Sequence, residues 1–527
     1  MHDTNSLLSR FGLERFASRQ ESNLLIISVS DHDLLPVVRN LIGEQHLDLK
    51  TVVATDERDT KKCFIVRYIF SVPKETVFFV VELMVDPVEA AFPSLVSVSQ
   101  AFALYEQEVK SMFGLEPIGH PNPSRIILHR HYPKDIYPLR KDFSWNTTFP
   151  LPTEDTITEV QGVEGEGIYQ IPVGPVHAGI IEPGHFRFSA LGEEIIKFEA
   201  ELGYVHKGTE KLFETLPLEQ TLSLAEHVSG DSSVHHALAF AQAVETLAGA
   251  SIPERAKLIR MVCAELERLA NHFNDIGFIM LDTGLSFGGS HGARLRERVM
   301  QWHERIAGNR FLRGMIVFGG VSRDIDEKLA DALADDLELL ETDFKEVVTI
   351  AKDSDSVYNR LKETGRLDRQ IADDYGVVGV PARALGKSMD ARADFPYAAY
   401  EAVQFSVVTE EYGDVHARFW VRVKEVYQSF RILNQVLALL PFEHSACQTP
   451  IGTLPVNRMA LGMVEGWRGD IVTFVATSVD GKLTRVKVRD PSFINWQVVP
   501  HALLRDIVPD FPLINKSFDL SYSGNDL

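Results

Sequence analysis

The chain reads as an α+β protein. A small N-terminal α/β domain is expected over residues 1–120, an extended proline-rich arm and linker over 121–167, and a larger domain over 168–527 with a central helical bundle and small peripheral β-sheets. Three observations predict this. Apolar, β-branched runs at 63–72 and 77–85 sit beside helix-period segments in the first hundred residues. Seven prolines crowd the stretch from Pro117 to Pro152. Segments with apolar residues three and four apart then fill 234–352, before β-rich sequence returns near residue 470.

Each element follows from local chemistry. Asp31 to Gln45 has helical spacing, and Pro73, Lys74 and Glu75 turn the strand at 63–72 into the strand at 77–85. Val98 to Phe113 is a helix that stops at Gly114, where glycine tolerates the left-handed conformation. The prolines that follow exclude regular structure and leave an ordered arm or a loose linker. Arg125, Arg130, Lys134, Arg140 and Lys141 favour an arm, because basic residues in an acidic chain suit docking. The domain junction is placed at Thr153 to Gly167, rich in Glu and Gly.

Beyond Ile168, alternating strands such as His185 to Ser189 and Ile195 to Glu199 lead into a helix at about Gly208. Ser229, Gly230, Asp231 and Ser232 form S-x-x-S at the start of the next helix, with unpaired backbone N–H groups beside them. A bundle follows: Ile252 to Ile276, stopped by Gly277, then Arg294 to Ala307, then a long helix near Asp324 to Lys352. The glycine-rich Gly284 to Gly292 is expected as a loop, and Arg294, Arg296, Arg298 and Arg305 as a solvated face. Asp480 and Gly481 turn a hairpin between 471–477 and 482–488, which returns Arg489, Asp490, Pro491 and Ser492 toward the S-x-x-S loop. Pro509 and Pro512 prevent the last segment from being one helix.

Composition sets limits on partners. A net charge of −21 disfavours nucleic acid or anionic lipid as the main partner. Three isolated cysteines, Cys63, Cys263 and Cys447, exclude a disulfide framework and a cysteine-held cluster in this chain. No stretch reaches the roughly 18 apolar residues of a membrane span, so any membrane contact is expected through other proteins. No strand followed by G-x-G-x-x-G appears, so NAD binding is not indicated.

Two motifs carry a resemblance to known families. His227-Val228-Ser229-Gly230-Asp231-Ser232, followed by His236, resembles the R-V-C-G-I-C-x-x-x-H segment of the nickel-iron hydrogenase large subunit and its relative, the D-type subunit of respiratory complex I. Asp490, Pro491, Ser492, Phe493, Ile494 and Asn495 match the hydrogenase D-P-C-x-x-C pattern, again without cysteine. Residues Glu106 to Leu128 and Tyr137 to Asp142 are similar to the signature of the complex I C-type subunit, with Ser111 where that pattern has aspartate. The whole resembles a fused C-type and D-type chain, as in the group 4 hydrogenases of the formate hydrogenlyase and hydrogenase-4 type. Its lack of metal ligands is similar to energy-converting-hydrogenase-related complexes.

The resemblance implies a hydrogenase-large-subunit-like fold in the larger domain, with Ser229, Ser232, Ser492 and Asn495 at degenerate metal positions. Hydroxyl and amide groups do not replace thiolates around nickel, so no nickel-iron centre and no cofactor is expected in this chain. It further implies proton-carrying roles for Glu182 and for His185 or His177 on the 174–185 loop, with a quinone as possible acceptor. Gly230 replaces the tyrosine of the complex I quinone site, leaving Asp231, His227, His235 or His236 as candidate donors. Implied partners are a small iron–sulfur subunit and antiporter-like membrane subunits, with this chain peripheral on the cytoplasmic face of the inner membrane. Two functions remain open: electron transfer to an acceptor coupled to ion translocation, or a non-catalytic structural or conformational-coupling role.

Overall fold

A computed structural model describes residues 4–73, 75–129, 132–149, 163–178, 181–440 and 446–527. Near the N-terminus, β1 (Ser18–Glu21), β2 (Leu24–Val29), β3 (Asp48–Glu57), β4 (Cys63–Ser71) and β5 (Phe78–Val85) form one sheet in the order β1-β2-β5-β4-β3. The β2–β5 pair is parallel and the other neighbours are antiparallel. Helix α1 (Asp31–Arg39) lies between β2 and β3, and α2 (Ala103–Phe113) packs against β3. Gly114, at φ +68°, ends α2, and a Cβ there would lie 2.4 Å from the Tyr137 ring.

Tyr137 belongs to the arm, in which residues 119–129 and 132–149 form no helix or strand. Backbone carbonyls hold its cations: Arg125 donates to Pro133 O and Ile136 O, and Arg140 donates to Phe113 O. Lys141 reaches the larger domain, pairing with Glu214 at 2.8 Å, while its backbone N–H donates to Asp56. The arm is thus a strap across both parts. Arg130 and residues 153–162 of the expected junction lie outside the described residues.

The larger domain opens with an antiparallel meander, β6 (Ile168–Val173), β7 (His185–Leu191) and β8 (Glu194–Glu201). Gly208, at φ +66°, then introduces α3 (Thr209–Phe213). The core centres on α4 (Ser233–Ala248), α5 (Glu254–Asp282), α6 (Ser286–Ala307), α7 (Glu327–Lys352) and α8 (Val415–Leu439). The 29-residue α5 runs through Gly277, contrary to the stop expected there. Gly284, at φ +87°, follows its end, and most of the glycine-rich stretch expected as a loop forms the first turns of α6.

Tertiary packing decides both differences. A Cβ on Gly292 of α6 would lie 2.6 Å from Gly277 Cα and 2.7 Å from Phe273 O, so these glycines let two helices cross almost backbone to backbone. Alanine at 292 would gain about 1 kcal/mol of helix propensity. Forcing α5 and α6 apart costs about 1–3 kcal/mol. Gly292→Ala should therefore lower the thermal unfolding midpoint, and a raised midpoint would refute the crossing. The arginine face of α6 is exposed at Arg294 and Arg305, and Arg294 and Arg298 also both reach Asp343 of α7 at 2.8 and 2.9 Å.

The chain ends in a further three-stranded sheet, β9 (Met459–Glu465), β10 (Asp470–Thr477) and β11 (Leu483–Arg489), with Gly481 in the expected turn at φ +76°. Its apolar side chains Leu461, Met463, Val472 and Phe474 pack on Leu24, Ile26, Ile69 and Val80 of the N-terminal sheet. Ala460, Val475 and Val486 cluster with Phe240 and Val244 of α4. Both faces are therefore covered, which is why these strands are apolar almost throughout. Short helices α9 (Pro491–Asn495), α10 (Phe511–Phe518) and α11 (Tyr522–Asp526) complete the chain, interrupted as the prolines require.

Candidate functional site

Sequence-distant segments converge at the start of α4. The hairpin delivers Asp490 to His236, whose Nε2 lies 2.9 Å from Asp490 Oδ2, both groups being buried. Ser229 Oγ donates to Asp231 Oδ1 at 2.9 Å and lies 2.9 Å from Ser521 Oγ. The N–H of Ser521 donates to Ser492 Oγ at 2.9 Å. Ser229, Ser232 and Ser492 are thus drawn into one hydrogen-bonded knot. Asn495 is buried one helical turn beyond Ser492, but its amide is spent on both backbone groups of Val378.

Arg468, between β9 and β10, fills the centre. Its two terminal nitrogens donate to the two oxygens of Asp231 at 2.7 and 2.8 Å, one of them also reaching Ser232 Oγ at 3.3 Å. The guanidinium carbon lies 3.8 Å from the Trp467 ring centroid, and Trp467 Nε1 donates to Ser232 Oγ at 3.0 Å. Although burial works the other way, this arginine holds the Asp231 carboxyl at about 2. Asp231 is therefore a fixed anion near neutrality, not the proton carrier that was expected. The N–H groups expected to be unpaired are also taken: Val234 and His235 donate theirs to Glu267 of α5, which His235 Nδ1 contacts as well.

These donors do not fit a nickel-iron centre. Soft late metals call for thiolates, whereas the corners here are hydroxyl and amide groups already engaged in hydrogen bonds, with a guanidinium among them. Among the described residues, no group of three or more His, Cys, Asp and Glu side chains is arranged to hold a metal.

The expected loop residues stand at the outer edge. Glu182 is exposed, yet its Oε2 accepts from Ser523 N–H at 3.0 Å. Partial withdrawal from water, with Asp231 nearby, raises its pKa above the ordinary carboxyl value. His185 begins β7, and its buried Nδ1 has no hydrogen-bond partner. His177 has a structural contact instead: its Nε2 donates to Gly184 O at 2.8 Å, stapling the loop. Lys207 was not singled out from sequence, yet it donates to His227 O and Ser523 Oγ at 2.6 Å each and so ties the S-x-x-S loop to the tail. Two wide clefts, of about 780 and 900 Å³, lie where the N-terminal sheet meets β9–β11, and neither is lined by the degenerate metal positions. Among the described residues no helix is long and apolar enough to cross a membrane.

Comparison with known proteins agrees with this geometry. Residues 27–149 match the family model of the respiratory-chain NADH dehydrogenase 30 kDa subunit, and residues 282–460 and 452–526 match that of the 49 kDa subunit. Formate hydrogenlyase subunit 5 of Escherichia coli (strain K12) is 33% identical, the match covering 96% of this chain and 90% of the relative. Hydrogenase-4 component G of the same organism is also 33% identical, over 96% and 89% of the two chains. A chain in the structure of the membrane-bound sulfane sulfur reductase, an archaeal respiratory membrane complex, superposes with a TM-score of 0.65 at 27% identity, covering 68% of this chain and 99% of that one. The chain therefore belongs to the family that unites the 30 and 49 kDa subunits of respiratory-chain NADH dehydrogenase with formate hydrogenlyase subunit 5 and hydrogenase-4 component G.

Proposed function

We propose that this chain is the acceptor-side subunit of a membrane-associated, complex I-like oxidoreductase in which an arginine–aspartate pair stands where hydrogenases hold metal. Electrons come from an iron–sulfur cluster in a small partner subunit seated against the Ser229–Ser232 loop. Antiporter-like membrane subunits hold the chain peripherally at the cytoplasmic face of the inner membrane. Residues 1–120 and 168–527 act as the C-type and D-type units, joined by the arm at 121–167.

The observation that supports a redox role is the site's outer edge. There Glu182, a carboxyl with a raised pKa, and His185, an imidazole whose Nδ1 is unpartnered, sit on the same 174–185 loop. A carboxyl whose pKa is raised above its ordinary value holds its proton more readily, which suits Glu182 to donating one to a quinone as it is reduced. Asp231 and Arg468 contribute a fixed local charge and a rigid wall.

One observation favours the alternative, a conformational-coupling subunit without chemistry. Trp467 and Arg468 pack where an acceptor would have to enter to reach the degenerate metal positions. Glu182→Gln in the assembled complex separates the two readings. Electron transfer from the reduced partner cluster to a quinone, with a sulfane-sulfur compound as competing acceptor, should slow about a hundredfold, the low end for loss of a general acid because His185 remains. An unchanged rate with both acceptors would favour the coupling role.

A further inference from the structure

A stretch without acidic side chains borders the S-x-x-S loop. From Arg305 to Arg323 the sequence holds four arginines and neither Asp nor Glu, inside a chain of net charge −21. The fold gathers the four where α6 ends. The guanidinium carbon of Arg305 lies 4.6 Å from the Trp302 ring centroid, and those of Arg310 and Arg313 lie 4.5 and 5.2 Å from that of Phe311. Arg323 folds back onto Gly308, where a Cβ would lie 2.9 Å from its Nη1. Arg305, Arg310 and Arg323 are exposed. Arg313, partly buried, donates to Ser233 Oγ at 3.2 Å and has its Nη1 3.2 Å from His227 Nε2, so the group is continuous with the loop that carries Ser229 and Ser232.

Among the described residues none of the four is paired with a carboxylate, unlike Arg294 and Arg298 on the same helix, which are held by Asp343 and Asp336. Neighbouring acids are spent elsewhere. Glu226 accepts from Gly314 N–H at 2.6 Å, Asp324 from Arg255 at 2.7 Å, and Asp326 from Leu329 N–H at the start of α7. Only Glu304 and Glu327 stand exposed and unpaired at the rim of this stretch. The turn that presents the arginines is tied down: the Asn309 side chain accepts from Phe311 N–H, and His303 Nδ1 contacts Arg310 O, both at 2.8 Å. Contact with Trp302 and Phe311 holds Arg305 and Arg310 in place, while these two and Arg323 keep their N–H donors unspent.

We propose that these arginines form a docking surface for carboxylates on an acidic face of the subunit that sits against the S-x-x-S loop. A guanidinium offers two parallel N–H donors that match the two oxygens of a carboxylate. Glu304, Glu327 and the acidic chain around them repel a polyanion of continuous charge such as RNA or an anionic bilayer, whereas a protein face can place single carboxylates at separate points. The surface takes the position of its partner from the proposed function, in which the electron donor is seated there. Its chemistry does not depend on redox activity.

Salt release of subunits from the assembled complex, held on a support through this chain, tests it. Protein carrying Arg305→Glu, Arg310→Glu and Arg323→Glu together should lose one subunit at a several-fold lower salt concentration than the wild type. The three lysine replacements should fall between, because they keep the charge and lose the two-pronged geometry. All three side chains are exposed, and the lysine protein keeps the test decisive should the glutamates disturb α6. Released protein is weighed by mass spectrometry, and its iron–sulfur content is read by electron paramagnetic resonance. Release of the same subunits at the same salt by all three proteins would overturn the proposal. So would binding of poly(U) or phosphatidylglycerol vesicles by the wild-type complex that the glutamate protein lacks. A subunit released as expected but holding no cluster would support the docking surface and count against the redox reading alone.

Discussion

Replacing Glu265 by leucine should destabilise the protein by about 3–5 kcal/mol, the range for breaking a buried ion pair from one side. Glu265 is fully buried on α5. It accepts from Arg392 at 3.0 Å, from Tyr400 OH at 2.6 Å and from Ser429 Oγ at 2.6 Å, with Arg268 3.5 Å away. Burial opposes its ionisation, but Arg392 and Arg268 prevail and hold its carboxyl at about 2. Leucine fits the volume but removes the carboxylate between two guanidinium groups, leaving Arg392 with Asp390 and Arg268 with the Glu465 and Gly466 carbonyls as their remaining partners. Because the folded pKa is depressed from 4.5, the contribution of Glu265 is fully present above about pH 4.5 and is lost as pH falls toward 2. Urea midpoints of wild type and Glu265→Leu should therefore differ most near neutrality and converge in acid. A loss below about 1 kcal/mol at pH 7 would mean that water reaches this network.

Arg468→Leu is expected to cost about 2–3 kcal/mol, less than a fully buried pair because the Asp231 side chain is 36% exposed and solvent screens part of the attraction. Asp231 would lose the partner that holds its carboxyl at about 2, and Ser232 would lose one of its two donors from this loop. The sign in acid follows from the depressed pKa. In the wild type the pair stabilises above about pH 4, and that contribution fades between 4 and 2, whereas the leucine variant should show no such fade. Arg468→Lys should recover the charge but not the two-pronged geometry, and so restore only part of the stability. Denaturation of the three proteins at several pH values would check this. Equal stability of the leucine variant and the wild type would show that the pair does not hold the site together.

Local chemistry carried much of the fold into view. The Asp480–Gly481 turn, the Gly114 stop and the Pro509–Pro512 interruption depend on backbone preferences a few residues wide, and each lies where the letters place it. Gly277 was misread because its purpose is set by Gly292 on another helix, a partner that periodicity cannot reveal. Helix α8 was overlooked because Arg418, Arg422 and Glu425 sit on its buried face and blur the apolar stripe. Strand β9 was overlooked because a short apolar run covered on both faces shows no alternation. At the site, motif spacing brought Ser229, Ser232 and Ser492 together correctly. What occupies their midst was invisible, since Arg468 stands 237 positions from Asp231 and belongs to no recognisable pattern.

The hydroxyl contact between Ser229 and Ser521 spans 292 positions, and the bond from Ser523 to Glu182 spans 341. At about 5–20 residues per second, a ribosome needs roughly 15–60 s to travel from the first serine to the second. Throughout that interval the nascent S-x-x-S loop lacks its closing contacts, although the helices behind it can already pack. Closure of this loop thus waits for the synthesis of Ser521 and Ser523, long after the loop itself has been made.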